Sequence, residues 1–192
     1  MSYVLLALSW IIFYTAHSLM AASKLKRILE VKWGDAYKWY RLVYTLISLI
    51  LFIGIMIQAV LIPKTTLISK SDFTDYLGYM LAGFGTIIAT KSSKNYSMKL
   101  FLGITPSVEN SEELITTGLY AKVRHPLYSG LLLIFLGYFL FSGSLTSVVH
   151  LSCLVLYLPF GIYFEEKNLV LQFGEAYQNY KSKVPALIPK FW

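Results

Sequence analysis

The chain has 192 residues, of which 56% are hydrophobic and only 14% charged, and it carries a formal net charge of +7. Soluble domains usually carry about 25% charged residues, so this composition excludes an ordinary water-soluble fold, and the length suits one membrane domain without a separate soluble catalytic one. The basic surplus flanks apolar runs, which places it at lipid headgroups and argues against nucleic acid as a partner.

The first apolar run covers 3–22. No Lys or Arg precedes it, whereas Lys24, Lys26 and Arg27 follow it. That is the reverse of a secretory signal, despite the faintly cleavage-like Ala21-Ala22-Ser23, so a retained transmembrane helix is predicted. The second run, 42–62, stops at Pro63, which cannot continue a helix. The third, 76–90, has only 15 residues. At about 1.5 Å per residue it barely crosses a hydrocarbon layer of roughly 30 Å, so thinning or a tucked position is expected there. Its Gly78, Gly83 and Gly85 are expected to allow close helix packing. The fourth and fifth runs, 127–141 and 148–164, are separated by Ser142-Gly143-Ser144, turn chemistry that predicts a tight helical hairpin. Beyond them Leu169, Phe173, Tyr177, Tyr180 and Val184 recur at helical spacing. They predict one amphipathic helix along the interface, ended by Pro185 and Pro189. The fold class is therefore all-α: a polytopic transmembrane helical bundle of about five spans with a C-terminal amphipathic interfacial helix, in a single domain, 1–192, with membrane lipids as its surroundings.

The basic residues orient these spans. Six lie in the loop after the first (Lys24, Lys26, Arg27, Lys32, Lys38, Arg41), five after the third (Lys91, Lys94, Lys99, Lys122, Arg124) and four in the tail (Lys167, Lys181, Lys183, Lys190). Only Lys64 and Lys70 fall on the other side. This bias predicts an outside amino terminus, a cytoplasmic carboxyl terminus and a bacterial-type inner membrane. Segment 92–124 and tail 165–192 then share one face and flank the hairpin, so they can close over one site.

Two groups of residues could carry chemistry. In Gly118-Leu119-Tyr120-Ala121-Lys122-Val123-Arg124-His125-Pro126-Leu127-Tyr128, Pro126 suits the first helical turn and pushes the preceding residue out of the α region. Arg124 and His125 thus stand at the positive end of a helix, which suits a carboxylate or ribose oxygens; an interfacial anchor of Arg, His and Tyr reads equally well. Glu165 and Glu166 are adjacent carboxylates at the end of the fifth span, expensive beside lipid unless solvated, paired or used. One could pair with Arg124 or Lys167 and the other receive a cationic ligand. His17, inside the first span, is a functional candidate or a neutral histidine bonded to a neighbouring helix; His150 reads as structural. Cys153 has no intrachain cysteine partner, so neither a disulfide framework nor a cysteine metal site is expected. No metal ligands are assigned.

Taken together, G-L-Y-x3-R-H-P-x-Y, a hairpin, and E-E-K-x-L-x3-F-G-x2-Y-x2-Y-x3-V-P-x-L-x-P resemble the isoprenylcysteine carboxyl methyltransferase-like family of membrane methyltransferases, over about 112–189. The resemblance implies an S-adenosylmethionine pocket in this half, lined by Glu112, Glu113, Leu114, Ile115, Tyr120, His125, Pro126, Leu127, Tyr128 and Glu165. Arg124 and Glu166 are then candidates for substrate binding, and His125 or His17 for assisting proton transfer. In the prenylcysteine enzymes an arginine stands four residues before the carboxylate matching Glu165; here that position is Gly161, so a prenylcysteine carboxylate loses its expected partner. His17-Ser18-Leu19-Met20-Ala21 and Tyr40-Arg41-Leu42-Val43-Tyr44 look like the subgroup holding methanethiol S-methyltransferases and NnrU-type proteins. The expectation is methyl transfer to a small thiol or an amphipathic, lipophilic acceptor. Alternatives are an isoprenylcysteine carboxyl or phospholipid methyltransferase and, from another class, a non-enzymatic accessory protein or small transporter.

Overall fold

The structure, a computed structural model, describes residues 1–93 and 113–190. These fall into two compact units, 1–63 and 64–93 with 113–190. Apart from an isolated bridge between Thr66 and Ser144, the regular structure among the described residues is helical. Three stretches are long and apolar enough to cross a membrane: Ser2–Ala21, Ser23–Leu61 and Leu145–Phe173. Large apolar side chains such as Leu49, Ile50, Ile57, Val60 and Leu156 stand exposed on them. Such exposure is the normal condition of a helix surrounded by lipid, and it marks an integral membrane protein.

In the first unit, α1 (Ser2–Ala21) runs against α3 (Tyr40–Leu61). Their polar side chains pair in antiparallel order. The Tyr3 hydroxyl donates to the Pro63 carbonyl at 3.1 Å, Ser9 to Gln58 at 2.8 Å, and Tyr40 to the Met20 carbonyl. In an apolar medium each such pair removes a costly unsatisfied group. Trp10, 1% exposed, fills the space between, stacked on Tyr14 and edge-on to Phe13 and Phe52. Residues 23–39, expected as a basic loop, instead form α2 (Ser23–Trp33) and a 3₁₀ helix, Gly34–Trp39. The apolar positions Leu25, Ile28 and Leu29 keep the helical period within the charges, which is why the segment folds.

In the second unit, α4 (Asp72–Ser93) is 22 residues long, seven more than the apolar run that announces it. Its polar ends extend it. Ser71 and Thr74 bond reciprocally ahead of the first turn, at 3.1 Å and 3.2 Å, and Asp72 and Asp75 complement the helix dipole. At about 1.5 Å per residue it reaches roughly 33 Å. It packs closely on α5 (Pro126–Ser142). A Cβ placed on Gly85 would lie 2.5 Å from the Gly130 carbonyl oxygen, and one on Gly137 2.5 Å from that of Gly78. Gly78 and Gly85 thus let the backbones touch, as expected, whereas Gly83 faces open space and has no such role.

The hairpin forms where Ser142-Gly143-Ser144 predicts it. Gly143 takes the left-handed conformation (φ 58°), and its amide donates to the Phe139 carbonyl. Ser144 and Ser147 then cap α6 (Leu145–Phe173) reciprocally. This helix has 29 residues, and roughly 20 suffice to cross the hydrocarbon. Its uncharged part ends at Phe164, so Glu165 onward lies beyond the apolar span. The expected single tail helix is divided: Leu169 and Phe173 belong to α6, while Tyr177 and Tyr180 belong to α7 (Glu175–Lys183). Gly174, at φ 57° and ψ −130°, makes the break, in a conformation that L side chains resist.

Candidate functional site

Pro126 opens α5, and its ring keeps His125, at φ −123° and ψ 64°, out of the α region ahead of the first turn. The residues before it are stitched to the chain after α7. Arg124 N–H donates to the Pro185 carbonyl at 2.9 Å and His125 N–H to that of Ala186 at 3.0 Å. The Ser129 hydroxyl donates to the Leu187 carbonyl at 2.7 Å, and the Tyr180 hydroxyl to the Tyr120 carbonyl at 2.6 Å. The two motif segments, about sixty residues apart, therefore lie side by side. The helix-start amides of Arg124 and His125 are taken by the tail rather than left for a ligand.

Glu166 ties α6 into the same place. Its side chain is 7% exposed. Arg124 Nε donates to Oε1 at 2.8 Å and Nη2 lies 2.7 Å from it, Lys181 Nζ stands 2.6 Å from Oε2, and His125 Nε2 is 3.1 Å from Oε1. Burial would raise this carboxyl's pKa, but the bonds from Lys181, His125 and Arg124 outweigh it and bring the value down to about 2. Arg124 Nη1 also donates to the carbonyls of Lys181 and Val184. Arg124 and Glu166, candidates for substrate contact, thus spend these groups on each other and on α7.

Glu165, one residue away, differs in setting. Its side chain is 47% exposed, and its Oε2 lies 3.5 Å from Nδ1 of His125, whose own side chain is 2% exposed. The Tyr128 ring stacks on the His125 imidazole, centroids 5.6 Å apart at 22°. Tyr177 is buried to 1% exposure, and its hydroxyl meets no hydrogen-bond partner among the described residues. Burial, then the nearby Glu166 carboxylate, push that phenol well above its ordinary pKa. Burial alone raises Tyr180 to about 12, against an opposing pull from Arg124. Neither phenol ionises near neutrality, so both act only as neutral hydroxyls.

Of the other sequence candidates, Pro126 is buried and Leu127 half-buried. Tyr120 is half-buried, its hydroxyl donating to the Ser92 carbonyl at 3.4 Å. Glu113 is exposed, with Leu114 and Ile115 half-buried, in a segment without regular structure. Glu112 lies outside the described residues. His17 belongs to the first unit, where its Nδ1 is 3.3 Å from the Ser48 hydroxyl and the Tyr44 hydroxyl lies 2.7 Å from its Nε2. Lys181 and Tyr177 join the site without a sequence signal that marks them for it. Their place in the Y-x2-Y-K stretch gives the helical spacing, but not which carboxylate they meet.

A buried carboxylate fixing an imidazole beside a second, open carboxylate offers hydrogen-bond acceptors to a donor-rich ligand, and known proteins share parts of this chain. The methanethiol S-methyltransferase of Crocosphaera subtropica is 42% identical over 77 residues, covering 38% of this chain and 28% of that protein. The protein-S-isoprenylcysteine O-methyltransferase of Schizosaccharomyces pombe is 41% identical over 92 residues, 46% of this chain and 39% of that protein. The corresponding Xenopus laevis enzyme is 27% identical over 158 residues, 78% of this chain and 51% of its own length. The chain thus spans between 28% and 51% of these three relatives. No solved structure matches. The family model described as NnrU protein matches residues 5–188, through both helical units and the stitched tail alike, and the chain belongs to that family.

Proposed function

We propose that this chain is a membrane-embedded methyltransferase that uses S-adenosylmethionine, with its donor site around His125, Tyr128 and Glu165. One observation carries this reading: the His125 imidazole and the Glu165 carboxylate stand 3.5 Å apart, held together by Glu166 and the tail. The fit to the cofactor is chemical. Its ammonium and ribose hydroxyls are hydrogen-bond donors, which Glu165 and an imidazole nitrogen accept, and Tyr128 adds a flat face for cation–π contact. When bound, the cofactor supplies an electrophilic methyl group on sulfonium sulfur. The chain's own part is to bind, orient and exclude water, which is most of what an in-line displacement requires. His125 is also the nearest candidate for taking a proton from the acceptor. His17, bonded to Tyr44 and Ser48 on α3, is assigned to tying α1 and α3 together.

For the acceptor we favour a small thiol over a prenylated cysteine carboxylate. At buried Gly161 a Cβ would lie 3.0 Å from Cε1 of Tyr157, so an aromatic ring occupies the space a side chain there would enter, and no cation is offered. Among relatives, a methanethiol methyltransferase agrees with this preference. The chain is further read as crossing the membrane five times, through α1, α3, α4, α5 and α6. The amino terminus is outside and the tail in the cytoplasm of a bacterial-type inner membrane, with α7 at the interface.

Calorimetry with S-adenosylmethionine on detergent-purified protein tests the proposal. The wild type should bind saturably, and Glu165→Ala and His125→Ala should each weaken binding about tenfold or more, the size of a lost charge-assisted hydrogen bond. A folded wild type that binds no cofactor overturns the reading. Labelled donor offered to thiols, prenylcysteines and lipid amines then identifies the acceptor.

A further inference from the structure

The imidazole of His125 has two nitrogens in different company. Nε2 lies 3.1 Å from Oε1 of buried Glu166. A lone pair on that nitrogen would face a carboxylate oxygen, so the hydrogen sits on Nε2 and is donated to Glu166. The charges around the ring already balance: Arg124 and Lys181 are cations, Glu165 and Glu166 anions, and the neighbouring Tyr128 and Tyr177 are neutral. A second ring proton is not needed for neutrality, and Nδ1 is left as a lone-pair acceptor. That lone pair lies 3.5 Å from Oε2 of Glu165, so two acceptors stand side by side without a hydrogen between them. Such a pair is satisfied by a group that donates to both.

We propose that Glu166 is a positioning residue for His125. By accepting Nε2–H it fixes the tautomer, so that Nδ1 and Glu165 together form a two-acceptor cradle for an ammonium or hydroxyl group of the ligand. The proposal rests on the donor site described above, but adds a role for the second carboxylate of the pair. Glu166 acts through the imidazole and does not itself touch ligand. Of its other partners, Arg124 shares Oε1 and Lys181 bonds the far oxygen, Oε2.

Two measurements test this, one independent of any ligand. The chain has three histidines, so selective ¹⁵N labelling in detergent, with His125→Gln to assign the signal, reads the ring directly. In the wild type His125 should show the Nε2-protonated pattern. In Glu166→Gln that preference should be lost or mixed, and Glu166→Asp should restore part of it. The second measurement is S-adenosylmethionine affinity below the melting temperature of each variant. It should fall about tenfold or more in Glu166→Gln, and stay unchanged in Gly83→Ala, which faces open space on α4. An unchanged tautomer with unchanged affinity in folded Glu166→Gln overturns the proposal. Absence of cofactor binding by the wild type, with the tautomer effect present, overturns the donor assignment and leaves the positioning role standing.

Discussion

Two cations and an imidazole converge on the carboxyl of Glu166, and stability at low pH should report it. With an ordinary value of 4.5 and a folded value of about 2, the group stabilises the fold fully above pH 4.5. That contribution disappears as acidity protonates it in the native state near pH 2. Melting temperatures of the detergent-solubilised protein should therefore fall across this window. The Glu166→Gln protein should start lower at neutral pH and lose less across the same interval. An identical acid profile in the two proteins would show that the carboxylate is not held as described. The sequence makes Glu165 and Glu166 look interchangeable, both acidic and both just past an apolar span. Consecutive helical residues point about 100° apart, which puts one among Arg124, Lys181 and His125 and leaves the other half open. Only the identity of the facing surface decides which, and that surface comes from about forty residues earlier in the sequence on one side and from α7 on the other. His125 was legible as a candidate because Pro126 fixes where the helix begins.

At the scale of elements, the contact between α4 and α5 rests on backbone against backbone. Gly137→Ala puts a Cβ 2.5 Å from a carbonyl oxygen of the facing helix, so the helices must separate along their length; a loss of about 1–3 kcal/mol is expected, typical of overpacking. Gly83→Ala, on the facing helix α4 but turned to open space, should be neutral or stabilising by up to about 1 kcal/mol through helix propensity. Thermal or denaturant unfolding of the pair in one detergent separates the two effects. Equal destabilisation by both would contradict the packing. The glycines were readable as packing devices from the sequence, but the face was not, since Gly83 and Gly85 differ only by their angle around the axis. α2 was hidden for a related reason: its charges suggest a loop, while Leu25, Ile28 and Leu29 carry a helical period too short to stand out. The break at Gly174 was masked because the apolar spacing runs through it without interruption. The start of α5 and the hairpin turn were legible because Pro126 and Gly143 act locally, through φ alone.

For the molecule as a whole, the long apolar helices made the membrane setting plain, whereas orientation rests on charge. With Cys153 replaced by Ser, single cysteines placed at Ser2 and Lys183 should react differently with a membrane-impermeant maleimide in intact cells. The first should be labelled at once, the second only after permeabilisation. Labelling of both from outside would refute the topology. A related test concerns the tail. Removing 185–190 strips Arg124 and His125 of the carbonyls that accept their N–H groups, and unsatisfied buried donors cost about 1–3 kcal/mol each. Such a truncation should lower the melting temperature and abolish cofactor binding even though Glu165 and His125 are untouched.

That stitching also sets a timetable for biogenesis. Arg124 and His125 leave the ribosome about sixty residues ahead of Pro185 and Ala186, the residues whose carbonyls hold them. At bacterial-to-eukaryotic elongation rates of about 5–20 residues per second, the wait is roughly 3–12 s. During it α5 and α6 are already made, with the stretch before Pro126 still unfastened. The joint around Arg124 and His125 is thus a late product of synthesis, closed from its far end, and a chain stalled during translation of α7 would still lack it.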